Sequence, residues 1–236
     1  GNPEGYAQEY LNKPIAIENA FFNPDYFFDF ERDKDGNWIK PNLEYFSAAD
    51  FAIAETQKAD YTAIVTCGVD PQGVVYVVDV RRIKADSDAI IEELLAVNKM
   101  FKPNMFTFET AQIDKAIGPF LNREMQRQRN YLNIHTVTPT KSKTARGKSI
   151  QGMHKSGSIR YDKEASWFPD LQGELLTIAD SGPRGKHDDM FDALAYVGLT
   201  IDQYFEAQSD EELEEEEYED ELFDFSDMGR CASTGY

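Results

Sequence analysis

The residues with the most chemical promise in this sequence are four acids, Asp50, Glu109, Asp188 and Asp189. Asp50 stands among Ala48, Ala49, Ala52 and Ala54, whose small side chains leave space beside its carboxylate. A buried carboxylate without partners is strongly unfavourable, so Asp50 takes a hydrogen bond, a cation or an exposed face. Glu109 closes the run Met105-Phe106-Thr107-Phe108-Glu109. That position is the carboxyl end of a buried-type strand, the rim where α/β sheets hold ligands. Read alone, it is equally an exposed strand-end glutamate. Asp188 and Asp189 open the apolar segment Met190-Phe191-Asp192-Ala193-Leu194-Ala195-Tyr196. One acid there is explained as a helix N-cap favoured by the dipole. Two adjacent acids with Asp192 one turn later exceed what capping needs.

These acids have to be positioned by the surrounding elements. Apolar alternation predicts strands over 45–54, 61–68 and 74–80, the last two joined by the turn Asp70-Pro71-Gln72-Gly73. A helix capped by Asp86 or Ser87 follows, with Ile90, Ile91, Leu94, Leu95 and Val97 on one stripe and an end before Pro103. Met105–Glu109 is a fourth strand and 132–137 a fifth, separated by a helix over 113–129 that Gly118-Pro119 interrupts. Residues 141–162 read as a basic loop with a small hairpin near Ser156-Gly157, and 168–178 and 188–205 as helices. The expected fold class is α/β, a mixed five-stranded sheet in the order 3-2-1-4-5 with strand 2 antiparallel and helices flanking it. In that order strands 1 and 4 are neighbours, and the last helix can bring Asp188 and Asp189 to Asp50 and Glu109. Oxygen ligands of this kind suit Mg²⁺ or Mn²⁺ rather than zinc. Two such ions about 4 Å apart would activate water and stabilise the leaving oxygen of a phosphodiester.

Composition sets the boundaries of the argument. Two cysteines, Cys67 and Cys231, do not make a disulfide framework and fit a reducing, intracellular setting. His135, His154 and His187 show no zinc spacing, and no apolar stretch approaches a membrane span. No signal peptide opens the chain, and a start at Gly1 rather than Met suggests an excised domain.

The net charge of −19 argues against nucleic acid until it is divided. From Glu206 onward thirteen acids face one base, Arg230, which leaves −7 for the rest. Within that remainder, residues 121–163 hold ten Lys and Arg against Glu124 and Asp162. Lys141, Lys143, Arg146, Lys148, Lys155 and Arg160 are candidate phosphate contacts, with a solvated basic surface as the plainer reading. Residues 1–43 read as a connector whose aromatic cluster, Phe21 to Phe30, packs on this domain or on a preceding one. The core domain spans 44–207, and 208–236 reads as an acidic disordered tail.

With these residues in view, the sequence resembles the C-terminal nuclease domain of tailed-bacteriophage terminase large subunits. Ala49-Asp50-Phe51-Ala52, Lys58-Ala59-Asp60-Tyr61-Thr62-Ala63, Phe108-Glu109, Lys141–Arg146 before Gly157-Ser158-Ile159, and above all 187–195 carry the resemblance, over residues 45–203. It implies an RNase H-like fold and a two-metal endonuclease, using Mg²⁺ or Mn²⁺, that cuts concatemeric double-stranded viral DNA during packaging. It implies a metal triad of Asp50, Glu109 and Asp188, with Asp189 auxiliary and the order of the pair open. It also implies an ATPase domain ahead of the connector, the portal protein and small terminase subunit as partners, and the cytoplasm of an infected bacterium as location. Gly147-Lys148-Ser149 is no P-loop, because Ser142 stands where the first glycine belongs. Two other readings stay open: a resolvase- or transposase-type nuclease of the same superfamily, and a non-catalytic DNA-holding or portal-docking module.

Overall fold

The computed structural model describes residues 20–51, 61–113, 117–140, 142–179, 181–185 and 187–206. Lys58, Asp60, Lys141 and the acidic stretch from 208 onward, all named above, lie outside them. Alternating apolar residues build β2 (Glu44–Asp50), β3 (Thr62–Val69) and β4 (Val75–Ile83), an antiparallel meander. Its tight turn forms because Asp70 Oδ1 accepts the Gln72 and Val74 N–H groups at 2.9 and 2.8 Å, with Gly73 at φ +77°. β5 (Met105–Glu109) then pairs parallel with β2, and β6 (Ile134–Val137) parallel with β5.

The expected five strands are therefore present in the expected order, now β4-β3-β2-β5-β6. Two more extend the sheet beyond β4: β7 (Ile159–Tyr161) and β1 (Phe28–Asp29), both parallel. They are three and two residues long, too short for alternation to reveal. Residues 20–43, expected as a connector, thus contribute a strand. Their aromatics also enter this domain's core: Phe21, Phe22 and Phe27 are buried beside His154, Tyr161, Phe168 and Phe191.

Helices α1 (Ser87–Phe101) and α2 (Gly118–Gln128) cover one face of the sheet. Asp86 caps α1 by accepting the Ala89 N–H at 3.0 Å, and left-handed Lys102 stops it before Pro103. The expected interruption at Gly118-Pro119 is where α2 starts, with Pro119 in its first turn. Ile91, Leu94, Leu95 and Leu121 pack there with Phe106 and Phe108. Full burial of each such side chain contributes about 2 kcal/mol.

The segment expected as a basic loop is helical instead. Ser142 caps α3 (Lys143–Arg146), whose end at Gly147 leads into α4 (Lys148–Ser156). No hairpin forms near Ser156-Gly157. Gly157, at φ +74°, ends α4 and the chain continues into β7. Polar composition concealed these helices, because only Ile150 and His154 of α4 are buried. Helix α5 (Phe168–Leu175) is shorter than expected, as Ile178 belongs to a two-residue strand β8 (Ile178–Ala179) paired with β9 (Gly182–Pro183).

The final helix, α6, runs over 189–206, and its 189–200 part lies on the face opposite α1 and α2. Thr107 and Thr200 join it to β5 through a buried hydroxyl contact at 2.6 Å. Glycines allow close helix approach here. A Cβ on Gly147 would overlap the Phe191 ring, and one on Gly198 would meet Ile150 at 2.8 Å.

Candidate metal centre

The register of the sheet decides where the first two acids stand. Ala48 pairs with Thr107 and Ala49 with Phe108, so Asp50 and Glu109 end neighbouring parallel strands. Side chains alternate between faces. Phe106 and Phe108 take the α1/α2 side, which puts Thr107 and Glu109 on the α6 side. The same alternation puts Ala48 and Asp50 on the α6 side, since Ala49 belongs to the α1/α2 core.

Helix α6 supplies the complementary side. Its first backbone bond runs from the Asp192 N–H to the Asp188 carbonyl at 2.9 Å, making Asp188 the cap residue. Asp188, Asp192 and Tyr196 follow at intervals of four and share one stripe of the helix. The Tyr196 hydroxyl donates to Glu109 Oε2 at 3.0 Å. Burial, with Glu109 and Asp50 close by, raises the tyrosine's pKa and keeps it a donor.

At the head of this stripe Lys143 bridges two carboxylates, its ammonium 2.6 Å from both Asp188 Oδ2 and Asp192 Oδ2. Partial burial works to lower the lysine pKa, but the two acids prevail and hold it above its ordinary value. Arg146 takes the other Asp192 oxygen at 2.9 Å and lies over the Tyr196 ring. Asp192 is buried, so this paired arrangement is what makes its charge tolerable.

Asp189 turns elsewhere. Its Oδ2 is 3.8 Å from Arg82 on β4 and 3.9 Å from the His187 ring. Arg82 in turn stacks over Tyr61, with 4.2 Å from guanidinium to ring centroid. Glu174 on α5 reaches the same helix end, and its Oε1 accepts the Phe191 N–H at 2.8 Å. Burial pushes its pKa up to about 7, although that N–H bond pulls the other way.

The acids read from the sequence therefore do not form one cluster: Asp189 faces Arg82 and His187, and the others divide into two sets. Asp50 and Glu109 lie toward Tyr196, and Asp188 and Asp192 are held around Lys143. Among the described residues no three Asp, Glu, His or Cys side chains stand assembled as a ready metal shell. The donor chemistry nonetheless suits a hard cation, because the Lys143 ammonium already occupies a cation position between two carboxylate oxygens.

The basic candidates divide as well. Lys143 and Arg146 face the acids. Arg160 donates to the Gly157 carbonyl at 2.6 Å and lies over Phe28, whereas Lys148 and Lys155 are exposed on α4. Sequence reasoning missed Tyr196, Arg82 and Glu174. Tyr196 alone had a signal, since it falls on the Asp188–Asp192 stripe.

Comparison with known proteins places this geometry in context. The family described as "Terminase RNaseH-like domain" matches residues 48–199. Among solved structures, the large terminase nuclease from thermophilic phage G20c with bound magnesium aligns at TM-score 0.51 and 18% identity, covering 77% of this chain and 97% of that one. The same nuclease with bound cobalt aligns at 0.51 and 17% identity, covering 77% and 97%. The P22 large terminase nuclease domain aligns at 0.51 and 14% identity, covering 77% and 96%. No curated protein matches the sequence. The family match spans well over half of the residues, and the chain belongs to the terminase RNase H-like domain family.

Proposed function

We propose that this domain is a metal-dependent endonuclease that cuts concatemeric double-stranded viral DNA during genome packaging. Asp50, Glu109 and Asp188 are its metal ligands, and two divalent cations, Mg²⁺ or Mn²⁺, are its cofactors. The reading rests on one relationship. Two acids end adjacent parallel strands beneath a helix whose first turn brings two more. A G20c terminase nuclease solved with magnesium, and again with cobalt, adds support for divalent cations.

Divalent cations at such a centre activate water and neutralise charge on a phosphodiester. The chain's own residues supply the frame. Asp50 and Glu109 are fixed by the sheet, and the Tyr196 hydroxyl orients Glu109. Asp188 is fixed as the helix cap, and Arg146 anchors Asp192 behind it. We assign the leading role to Asp188 over Asp189, because Asp189 is engaged by Arg82 and His187 on the side away from Lys143. Lys148, Lys155 and Arg160 contact DNA phosphates, joined by Lys141 and Lys143 as the duplex approaches, whereas Arg146, expected among them, is buried against Asp192 and does not reach the duplex. In the packaging motor the partners would be the portal protein and the small terminase subunit, in the cytoplasm of the infected cell. No helix among the described residues is long and apolar enough to cross a membrane.

One observation favours a second reading, a DNA-holding module with structural carboxylates: Glu109 and Asp188 already have internal donors. Incubation of supercoiled plasmid with Mn²⁺, Mg²⁺ or EDTA, beside the Asp50→Ala variant, separates the two. Metal-dependent nicking that disappears in the variant supports the nuclease. A folded protein that binds DNA but leaves it intact under every metal supports the holding module.

A further inference from the structure

We propose that Lys143 is an internal counter-ion that a divalent cation must displace from Asp188 and Asp192 in order to bind, so that the chain carries its own competitor for metal. The proposal rests on the metal-dependent reading above and specifies what limits it.

The two cations around Asp192 are not equivalent. Arg146 is buried, with a side chain only 10% exposed, stacked on Tyr196 and bonded to Asp192 Oδ1. It is a fixed part of the core. Lys143 is 44% exposed and takes Asp188 Oδ2 and the remaining Asp192 oxygen, Oδ2, both at 2.6 Å. A lysine ammonium is a compact charge on a flexible stem, whereas an arginine fork is held in place by its geometry. Lys143 can swing into solvent, or onto a nearby phosphate, without disturbing the packed helix. Arg146 cannot.

Displacement is also electrostatically consistent. An ammonium and a divalent cation both seek carboxylate oxygen, and they cannot share Asp188 Oδ2 at contact distance. When Lys143 leaves, Arg146 continues to neutralise Asp192, so no buried charge is left without a partner. Asp188, 26% exposed at its side chain, loses only a partly solvated ion pair. Such pairs are weak individually, which sets the competition at about fivefold in affinity rather than many orders of magnitude.

The test is Mn²⁺ binding measured by titration calorimetry on the intact chain, with circular dichroism to verify folding. Wild type is compared with Lys143→Met, Lys143→Arg, Lys148→Met and Asp50→Ala. Lys143→Met is expected to bind Mn²⁺ about fivefold more tightly than wild type. Lys143→Arg, which keeps a cation against both acids, is expected to bind no more tightly than wild type. Lys148→Met removes an exposed cation outside the acid pairings, and it controls for the general effect of lost positive charge. A gain in Lys143→Met no larger than that in Lys148→Met overturns the proposal, as does unchanged or weaker binding. Failure of wild type itself to bind Mn²⁺, or equal binding by Asp50→Ala, sinks the metal-centre reading instead. The two failures are thus distinguishable.

Discussion

Tyr196 donates its hydroxyl to Glu109 Oε2 at 3.0 Å, and this contact ties the third turn of α6 to the end of β5. The bond joins residues 87 positions apart and fixes how the helix lies over the strand that carries Glu109. Hydrogen bonds to charged groups are stronger than neutral ones, though partial exposure reduces the gain. Tyr196→Phe keeps the ring under Arg146 and removes only the hydroxyl. The variant is expected to lose about 1 kcal/mol of unfolding free energy in urea. An unchanged midpoint would mean the hydroxyl contributes nothing to seating the helix.

Gly147 is required for space rather than for backbone freedom, since its φ of −75° suits any residue. A methyl group there would enter the ring of Phe191, which is fully buried one residue before Asp192. Gly147→Ala is expected to cost about 1–3 kcal/mol through overpacking. Gly152, inside α4 with open space where a methyl group would stand, is the control. Gly152→Ala should raise stability by about 0.5–1 kcal/mol through helix propensity. Opposite shifts of the two melting temperatures would confirm the contrast, and parallel shifts would refute it.

Glu174 makes stability depend on pH in the opposite sense to most carboxylates. Its folded-state pKa is about 7 against an ordinary 4.5, so between those values the folded chain holds more protons than the unfolded one. Stability therefore falls as pH rises from 4.5 to 7, by up to about 3 kcal/mol from this group, and is level above it. Glu174→Gln retains an oxygen for the Phe191 N–H and cannot ionise. Its stability relative to wild type should increase between pH 5 and pH 8. A constant difference across that range would show that Glu174 does not titrate there.

How much of this arrangement the sequence discloses depends on range. The Asp86 cap, the break at Gly118-Pro119 and the turn at Asp70–Gly73 are local, and each forms where its residue types require. The order β4-β3-β2-β5-β6 is also legible, because long apolar strands and short connections leave few topologies. The two-residue β1 has no periodicity of its own and exists because β7 offers it an edge. Helices α3 and α4 were hidden by Ser, Thr, Lys and Gly, since their partners are distant in sequence: Arg146 pairs with Asp192, Gly147 lies against Phe191, and His154 against Phe22. The acids were legible as types at strand ends and a helix start. Their partners were not, because Lys143 is 45 positions from Asp188.

His154 gives a second pH dependence, remote from the acids. Its Nε2 lies 2.8 Å from the Asn23 carbonyl and its Nδ1 3.3 Å from the Tyr161 hydroxyl, so Nε2 carries the proton and Nδ1 accepts. Burial lowers its pKa below the ordinary 6.5, while the Asn23 carbonyl opposes the shift. The unfolded chain binds the extra proton first, so stability is lost as pH falls through 6.5 toward the lower folded value. His154→Gln should start less stable at pH 8 and lose less than wild type on descent to pH 5.5. Equal slopes in the two proteins would show that the histidine titrates normally.

The exposed cations of α4 make a separate prediction about DNA. Lys148 and Lys155 are exposed and have no pairing with the acidic stripe, so their charge is available to phosphates. Backbone contacts of this kind release counterions and carry no sequence information. The double variant Lys148→Ala/Lys155→Ala should bind duplexes of unrelated sequence more weakly by a similar factor. The slope of log affinity against log salt should become shallower by about 2, close to one unit per lost contact. Both are measured by fluorescence anisotropy in EDTA, where no cutting competes. A loss confined to one sequence would indicate base readout, and an unchanged salt slope would place the DNA on another face of the domain.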